Sequence, residues 1–360
     1  MGNVPIDFWF SEQNGVAIMF TRILVPLDGS PLAEGALLHA ELFARIFGSS
    51  IVLLQVLDPT SYQEMPNSVD PLRWQLRKAE AEAYMQGIAQ RVLKNLEENI
   101  HTDEAETKKR VKYSIREGKT AENIVDFAHS ENIDLLVIST HGSGGLSRWN
   151  ISSVTQKVIN MIYLPVLIVR AFDPANATQD RIHYQRILLP IDCSRRAECA
   201  LSAGIELARG ESQAGDLTGT RENKSILYLA AVIHQPELPI PKPFPTEINE
   251  LSEKILELSH QAVGKYLFEM KERLPVESDT CIVESVSVST AIQELAQQDD
   301  VSIVVLCAHG YSGQVSWPYG TVTRTYIEHG TKPLLVIQDV PRSQVRPSAA
   351  ELAAEKSGRR

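Results

Sequence analysis

Short apolar runs recur along the chain at the length of β-strands, and longer stretches of mixed polar and apolar residues separate them. Almost every position in such a run is apolar, which is typical of a strand buried on both faces. In the first half of the chain the pattern predicts five strands, at about Ile23–Leu27, Ile51–Leu57, Val111–Ile115, Asp134–Ser139 and Pro165–Arg170. No run reaches the roughly 18 apolar residues that a membrane-spanning helix needs.

Helix signals lie between these strands. Ser30-Pro31 is a typical N-cap and first helical residue for a helix that runs to about Phe47. Further helices are predicted near Pro71–Glu98, Thr120–Ser130 and Ser152–Ile162. Apolar strands that alternate with crossover helices predict an α/β fold with a parallel sheet covered by helices on both faces.

The chain contains the same domain twice. Residues 22–30 read RILVPLDGS and residues 186–194 read RILLPIDCS, which are identical at six of nine positions. Further along, His141-Gly142 recurs as His309-Gly310, 168 residues later. Because the two copies keep their order over such a long period, the repeat indicates a duplicated globular domain and not a solenoid.

The second copy repeats the strand pattern, with strands predicted near 187–191, 225–233, 281–286, 302–307 and 333–338. The chain is therefore divided into an N-terminal extension (1–20), domain 1 (21–170), a polar linker (171–185), domain 2 (186–339) and a C-terminal tail (340–360). Residues 1–18 are interpreted either as an extension of the native product or as the result of an upstream start, because Met19 precedes the first strand directly.

Composition and charge narrow the class of protein. Of the 360 residues, 43% are hydrophobic and 22% charged, so each half has enough apolar material for a core. The net charge of −10 gives no basic surface for nucleic acid or an anionic membrane. Four cysteines without a C-x-x-C pair form no disulfide framework, which favours a reducing cytoplasm.

Candidate chemistry collects where the predicted strands end. Asp28 and Asp192 end the first strand of each copy, and glycine-rich loops follow the fourth strand. In an open doubly wound sheet, ligands bind beyond the carboxyl ends of the strands, at the point where strand order reverses. Ser152-Ser153 and Gly320-Thr321 then open a helix, and the N–H groups there favour an anion such as phosphate. The alternative interpretation is a plain N-cap without a ligand.

These motifs together resemble the universal stress protein A family. The resemblance rests on ILVPLDGS at the first strand and on STHGSGGLSR, SSV and LPVLIVR later in the first copy, and it covers both copies. It implies a Rossmann-like, nucleotide alpha-hydrolase-like sheet of five parallel strands in the order 3-2-1-4-5. It also implies a cytoplasmic stress-response protein that is dimeric, or pseudo-dimeric within one chain, through its last strand. Some members of the family bind ATP and others do not.

The ATP-binding members carry a glycine, two residues, a second glycine, nine residues, and a third glycine followed by serine or threonine. Neither copy matches this pattern completely. The first copy has Ser139, Gly142 and Ser152-Ser153 at these positions, and the second has Cys307, Gly310 and Gly320-Thr321.

Other matching positions favour the first copy. Asp28, two residues after Pro26, matches the family's acid that contacts adenine or ribose, and Asp192 repeats it in the second copy. Gly118 matches the family's glycine after the third strand, whereas the 168-residue offset places the β-branched Val286 there in the second copy.

The bulky Tyr311 is expected to narrow the mouth of the second site. We therefore predict ATP or another adenine nucleotide in domain 1 rather than in domain 2.

No enzyme is predicted. The chain lacks a Walker lysine, and His141 and His309 are interpreted as residues that brace their loops. Ser312 does not complete a hydrolase elbow because Gln314 replaces the last glycine. Cys193, near a helix start, is either a thiol of lowered pKa or an ordinary small residue.

Two functions remain open after these exclusions. The first is a nucleotide-binding stress regulator. The alternative is an interaction scaffold that binds no nucleotide, in which the two domains form an internal pseudo-dimer and act through protein partners. A homodimer of two chains is compatible with either function.

Overall fold

The computed structural model describes residues 20–59, 71–97, 110–142, 151–171, 182–218, 224–234, 245–298, 300–311 and 318–339. The predicted extension except Phe20, most of the linker, and the tail lie outside these residues. The tips of the two glycine-rich loops, with Trp149, Ser312 and Trp317, also lie outside them.

Domain 1 alternates strands and helices as the sequence predicts. Its elements are β1 (Arg22–Leu27), α1 (Pro31–Phe47), β2 (Ser50–Leu57), α2 (Pro71–Glu97), β3 (Val111–Glu117), α3 (Thr120–Ser130), β4 (Leu135–Ser139), α4 (Ser153–Met161) and β5 (Val166–Val169). Ser30 is the N-cap of α1, and its side chain accepts a hydrogen bond from the Ala33 amide at 3.2 Å. Gly48 ends the helix at a φ of 68°, where glycine is favoured over residues with a side chain.

Domain 2 repeats this order with a short 3₁₀ turn after its first strand. Its elements are β6 (Arg186–Pro190), the 3₁₀ turn (Ala197–Ala200), α5 (Leu201–Thr218), β7 (Ile226–Ile233), α6 (Thr246–Lys271), β8 (Ser278–Glu284), α7 (Val288–Ala296), β9 (Val301–Cys307), α8 (Thr321–His329) and β10 (Leu334–Ile337). The start of β8 corrects the predicted 281–286. This edge strand begins with Ser278, which is buried, and Asp279, which is exposed, and both pair with β7.

All ten strands form one sheet, in the order β3-β2-β1-β4-β5-β10-β9-β6-β7-β8. Each domain contributes five parallel strands in the order 3-2-1-4-5, as predicted. The two halves join through their last strands, which run antiparallel with Leu167 opposite Leu335. The expected internal pairing of the two copies is therefore present within this chain.

Helices cover both faces of the sheet, which explains the uninterrupted apolar strands. Along β1, Ile23 and Val25 pack into a core with α1 and α2, while Leu24 between them packs into a second core with α3 and α4. Both side chains of such an alternating pair are buried, so neither face of the strand tolerates polar residues. Each of the two cores continues from one domain into the other.

Arg170 connects the two domains at their junction. It follows β5 of domain 1, and its guanidinium donates hydrogen bonds to three backbone carbonyls of domain 2, those of Tyr326 (2.8 Å), Ile327 (2.9 Å) and Lys332 (3.2 Å). Two of these carbonyls lie near the C-terminus of α8, where a positive charge is favoured. Burial lowers the pKa of Arg170 to about 10, so it stays charged at neutral pH.

A second polar contact, on the opposite face, joins domain 1 to the end of the linker. The His39 ring on α1 and the Tyr184 hydroxyl form a hydrogen bond of 2.5 Å, and both side chains are almost fully buried. Among the described residues no helix is long and apolar enough to cross a membrane.

Candidate functional site

The point where strand order reverses lies at the carboxyl ends of β1 and β4 in domain 1, and of β6 and β9 in domain 2. In both domains the first strand pairs with the second on one side and with the fourth on the other. The chain leaves these neighbouring strands toward opposite faces of the sheet, which opens a crevice between the two following loops. The predicted Asp28 and Asp192 follow the first strand of each domain, and Gly142 and Gly310 follow the fourth.

In domain 2 the crevice is a cavity of about 740 Å³. Six predicted or equivalent site residues line it, namely Pro190, Asp192, Cys307, Gly310, Gly320 and Thr321. Its volume lies within the range of about 300–1,000 Å³ that small-molecule sites occupy. Apolar side chains from β7 and α7, including Val232, Val288 and Ile292, form another part of the wall.

Asp192 holds together the two loops that border this cavity. One carboxylate oxygen accepts a hydrogen bond from the Ser194 amide at 3.0 Å, and the other accepts one from the Tyr311 amide at 2.6 Å. A Cβ atom on Gly310 would overlap this carboxylate, so the close approach requires glycine. The aspartate after the first strand and the glycine after the fourth strand therefore contact each other.

Domain 1 contains the same contact. Asp28 accepts hydrogen bonds from the Ser30 amide (3.0 Å) and the Ser30 hydroxyl (2.6 Å), and a Cβ on Gly142 would overlap its second oxygen. Pro26 lies two residues earlier on β1, half-buried and paired with Leu54 of β2.

The helix that follows the fourth strand is anchored identically in the two domains. The Ser152 amide donates to the Thr140 carbonyl and the Gly320 amide to the Ala308 carbonyl, both at 2.8 Å. One turn later, a threonine hydroxyl donates to the carbonyl of the last strand residue, from Thr155 to Ser139 at 3.0 Å and from Thr323 to Cys307 at 2.8 Å.

The two helices differ in how their first turn is capped. The Ser152 hydroxyl accepts a hydrogen bond from the Thr155 amide at 3.1 Å, so α4 carries its own N-cap. At the N-terminus of α8, Gly320 has no side chain, and no side-chain cap is present there among the described residues. Within the part of the chain that the structure describes, the first-turn amides of α8 therefore lack a side-chain acceptor where Gly320 and Thr321 line the cavity.

This difference gives a stability prediction. Replacing Ser152 by alanine removes the N-cap of α4, and we expect the free energy of unfolding to fall by about 1 kcal/mol in urea titrations. Ser153→Ala is the matched control, because Ser153 is exposed and follows the cap; its effect should stay below about 0.5 kcal/mol. Equal effects of the two substitutions would contradict the assignment of Ser152 as the cap.

The structure corrects the counterpart of Gly118. The Gly118 amide donates to the Leu57 carbonyl, and in domain 2 it is the Ser285 amide that donates to the equivalent Ile233 carbonyl. Val286 is one additional residue in this loop, 77% exposed and outside the lining of the cavity. Gly118 has a φ of 123°, whereas Ser285 has a negative φ. The expectation that Val286 replaces the glycine is therefore wrong, because the loop of domain 2 takes a different backbone path.

Tyr311 does not fill the cavity either. Its side chain is 87% exposed at the rim, while its backbone amide is held by Asp192. Because Tyr311 remains among the residues that line the cavity, the narrowing of the mouth by its side chain stays a prediction.

The two loop histidines have different partners, and one partner was missed by the sequence reasoning. His141 contacts the Thr140 hydroxyl at 3.1 Å, as expected for a bracing residue. His309, which lines the cavity, contacts the Asp339 carboxylate at 2.7 Å, and Asp339 also pairs with Arg196 at 3.3 Å. The residue of domain 1 equivalent to Asp339 is Ala171, so comparison of the copies gives no signal for it.

Cys193 does not have the lowered pKa that its position near a helix start allowed. Burial, together with the neighbouring Asp192 and Glu198, raises the pKa of its thiol. Among the described residues no group of three or more histidine, cysteine, aspartate or glutamate side chains is arranged to hold a metal ion.

Taken together, the fold and the site define a tandem pair of doubly wound α/β domains, with a cavity at the switch point of domain 2. A profile of the universal stress protein family matches residues 19–170 and 183–338. The chain belongs to the universal stress protein family and carries two copies of its domain.

Relatives and solved structures agree with this assignment. The universal stress protein MJ0531 of Methanocaldococcus jannaschii is 30% identical over 155 residues, which are 42% of this chain and 83% of that protein. A universal stress protein of Mycolicibacterium smegmatis is 24% identical over 318 residues, 88% of this chain and 96% of the relative. The crystal structure of a universal stress protein from Archaeoglobus fulgidus shares the fold with a TM-score of 0.55, at 16% identity over 89% of this chain and 98% of that one.

Proposed function

We propose that this protein is a stress-response regulator that binds an adenine nucleotide, with ATP as the first candidate, in the cavity of domain 2. The observation that carries the proposal is this cavity of about 740 Å³, bordered by Asp192 and Gly310 and by the uncapped start of α8. The class of ligand comes from the resemblance to the family's ATP-binding members, and the geometry of the cavity supports domain 2 as its place. This placement differs from the sequence-based preference for domain 1.

The start of α8 supplies the phosphate end of the proposed site. Its first-turn amides have no carbonyl partner within the helix, and the helix dipole favours negative charge there. Gly320 carries no side chain, so phosphate oxygens approach these amides closely. The Thr321 side chain is exposed in the same turn and adds a hydroxyl donor.

The opposite wall supplies the nucleoside end. Val232, Val288 and Ile292 offer an apolar surface for the flat face of an adenine ring. Asp192 is exposed although it braces two loops, and a carboxylate oxygen accepts hydrogen bonds from ribose hydroxyls. The nucleotide then lies across the carboxyl ends of β6 and β9.

Domain 1 is a second candidate, because Asp28 and Gly142 form the same contact as Asp192 and Gly310. At its phosphate end, however, the Ser152 hydroxyl already occupies the Thr155 amide. A phosphate there competes with this cap, which supports weaker binding in domain 1. In either domain, we propose that the nucleotide is a signal rather than a substrate.

The proposal is tested with the purified full-length chain. We expect ATP titrated by calorimetry to bind with a Kd of roughly 10 μM or below, whereas GTP binds more weakly. Small molecules released on denaturation are identified by mass spectrometry, which detects a nucleotide that copurifies. Absence of a released nucleotide, together with no heat of binding and no ATP-dependent rise in melting temperature, would leave the ligand-free interaction scaffold as the function.

A further inference from the structure

We propose that Cys199 and Cys307 of domain 2 form a peroxide-sensitive thiol pair that closes to an intramolecular disulfide. Their Sγ atoms are 2.8 Å apart, and both cysteines are free in the structure. This separation exceeds the S–S bond length of about 2.05 Å by less than one ångström. The inference goes beyond nucleotide binding, because the pair needs no ligand to react.

The two sulfur atoms belong to elements that are already fixed against each other. Cys199 lies on the 3₁₀ turn Ala197–Ala200, and Cys307 is the last residue of β9. Two residues that precede Cys199 fix the position of the turn. Arg196 pairs with Asp339, and Glu198 accepts a hydrogen bond from the Tyr266 hydroxyl at 2.8 Å. Bond formation therefore needs little movement of the backbone.

The roles of the two thiols differ. Cys199 donates its S–H to the sulfur of Cys307, and this hydrogen bond, followed by burial, raises the pKa of the Cys199 thiol. Cys307 is among the residues that line the cavity and Cys199 is not, so within this proposal hydrogen peroxide approaches the pair through the cavity, on the side of Cys307. Cys307 is therefore the sulfur that is oxidised first, and Cys199 is the resolving thiol.

The reaction balances with one peroxide. The Cys307 sulfur attacks a peroxide oxygen, the O–O bond breaks, and a sulfenic acid and one water are formed. The Cys199 sulfur then attacks the Cys307 sulfur, the S–O bond breaks, and hydroxide leaves with the Cys199 proton as a second water. Two thiols lose two electrons to the peroxide, and a single S–S bond results.

Only domain 2 has this pair. The residues of domain 1 equivalent to Cys199 and Cys307 are Gly35 and Ser139, so both thiols are specific to the second copy. The bond would link positions 108 residues apart and constrain the unfolded chain strongly.

The experiment compares three full-length proteins by intact mass after treatment with hydrogen peroxide. In the Cys193→Ser/Cys281→Ser variant, where only the pair remains, we expect the loss of two hydrogen masses, reversed by dithiothreitol, and a melting temperature at least about 5 °C higher. Adding Cys199→Ser should abolish this loss and leave oxygen addition at Cys307. In the wild type, peptide mapping should identify a linked peptide with Cys199 and Cys307.

Oxygen addition without loss of hydrogen in the pair-only variant, or no reaction at all, would overturn the proposal. The linked peptide in the wild type provides the same test if the serine variants fail to fold. One further arm rests on the proposed nucleotide site: saturating ATP should slow disulfide formation several-fold, because it covers Cys307. An unchanged rate would count against ATP in this cavity, while the disulfide itself would remain established by the mass data.

Discussion

Replacing Arg170 by alanine should lower the free energy of unfolding of the whole chain by about 3–4 kcal/mol. The guanidinium donates to three carbonyls of domain 2, two of them near the end of α8, and its removal takes a buried donor from all three. The Tyr326 carbonyl keeps its hydrogen bond from the Gly330 amide. The free energy lost with these three hydrogen bonds exceeds the desolvation cost that is avoided when the buried charge is removed, because each hydrogen bond is charge-assisted. We therefore expect a melting temperature lower by at least about 5 °C in calorimetry.

Arg324→Ala is the matched control for this result. Arg324 lies on α8 itself, but it is half-exposed and pairs with Glu328 one turn away at 3.1 Å. Loss of such a surface pair should change stability by less than about 0.5 kcal/mol. Arg170→Lys should be intermediate, because an ammonium group does not span three carbonyls. If Arg170→Ala were no more destabilising than Arg324→Ala, Arg170 would not hold the two domains together.

Asp192→Ala should weaken ATP binding at least about tenfold, a difference of roughly 1.4 kcal/mol in binding free energy. Without the carboxylate, the Tyr311 and Ser194 amides lose their acceptor, and the two loops around the cavity lose their link. The ribose end of the proposed site also loses the Asp192 carboxylate, which accepts hydrogen bonds from ribose hydroxyls in the proposed binding mode. The measurement is calorimetric titration of ATP into each full-length variant.

Asp28→Ala is the matched variant in domain 1, since Asp28 makes the corresponding contacts to Ser30 and beside Gly142. With the nucleotide in domain 2, this change should leave the ATP affinity within about twofold of the wild type. The reverse pattern, a loss with Asp28→Ala and none with Asp192→Ala, would move the site to domain 1. Melting temperatures without ATP separate loss of binding from loss of fold.

The local rules of the sequence predict most of the fold. The strand positions, the parallel sheet and the cap at Ser30 follow from apolar runs, crossover helices and turn chemistry, which depend on residues close together in the chain. The strand order 3-2-1-4-5 followed only from the resemblance to the family. The start of β8 was missed because Ser278 and Asp279 do not resemble a buried strand, although their backbones pair with β7. An edge strand is specified by its neighbour as much as by its own residues.

The candidate site is predicted only in part. Asp192 and Gly310 were identified, because each copy repeats them, but the comparison of copies failed wherever the copies differ. It placed Val286 opposite Gly118, since one extra residue shifts the register of that loop. Asp339 has no equivalent carboxylate in domain 1, so its contact with His309 emerges only from the folded chain.

Tertiary contacts of this kind also explain why the preference between the domains changes. By sequence, Ser152 and Cys307 are both departures from a position at which the ATP-binding members carry glycine. In the structure Ser152 occupies an amide of its own helix, whereas the Cys307 sulfur contacts Cys199. Whether a residue favours or hinders ligand binding at the site depends on its tertiary contacts, and a sequence motif does not specify those contacts.

A crystal structure of the full-length chain grown with ATP tests the central claim most directly. The account predicts density for the nucleotide in the domain 2 cavity, with phosphates at the start of α8 near Gly320 and Thr321 and the ribose near Asp192. An empty domain 2 cavity in crystals whose protein binds ATP in solution, or density only beside Asp28 in domain 1, would contradict it.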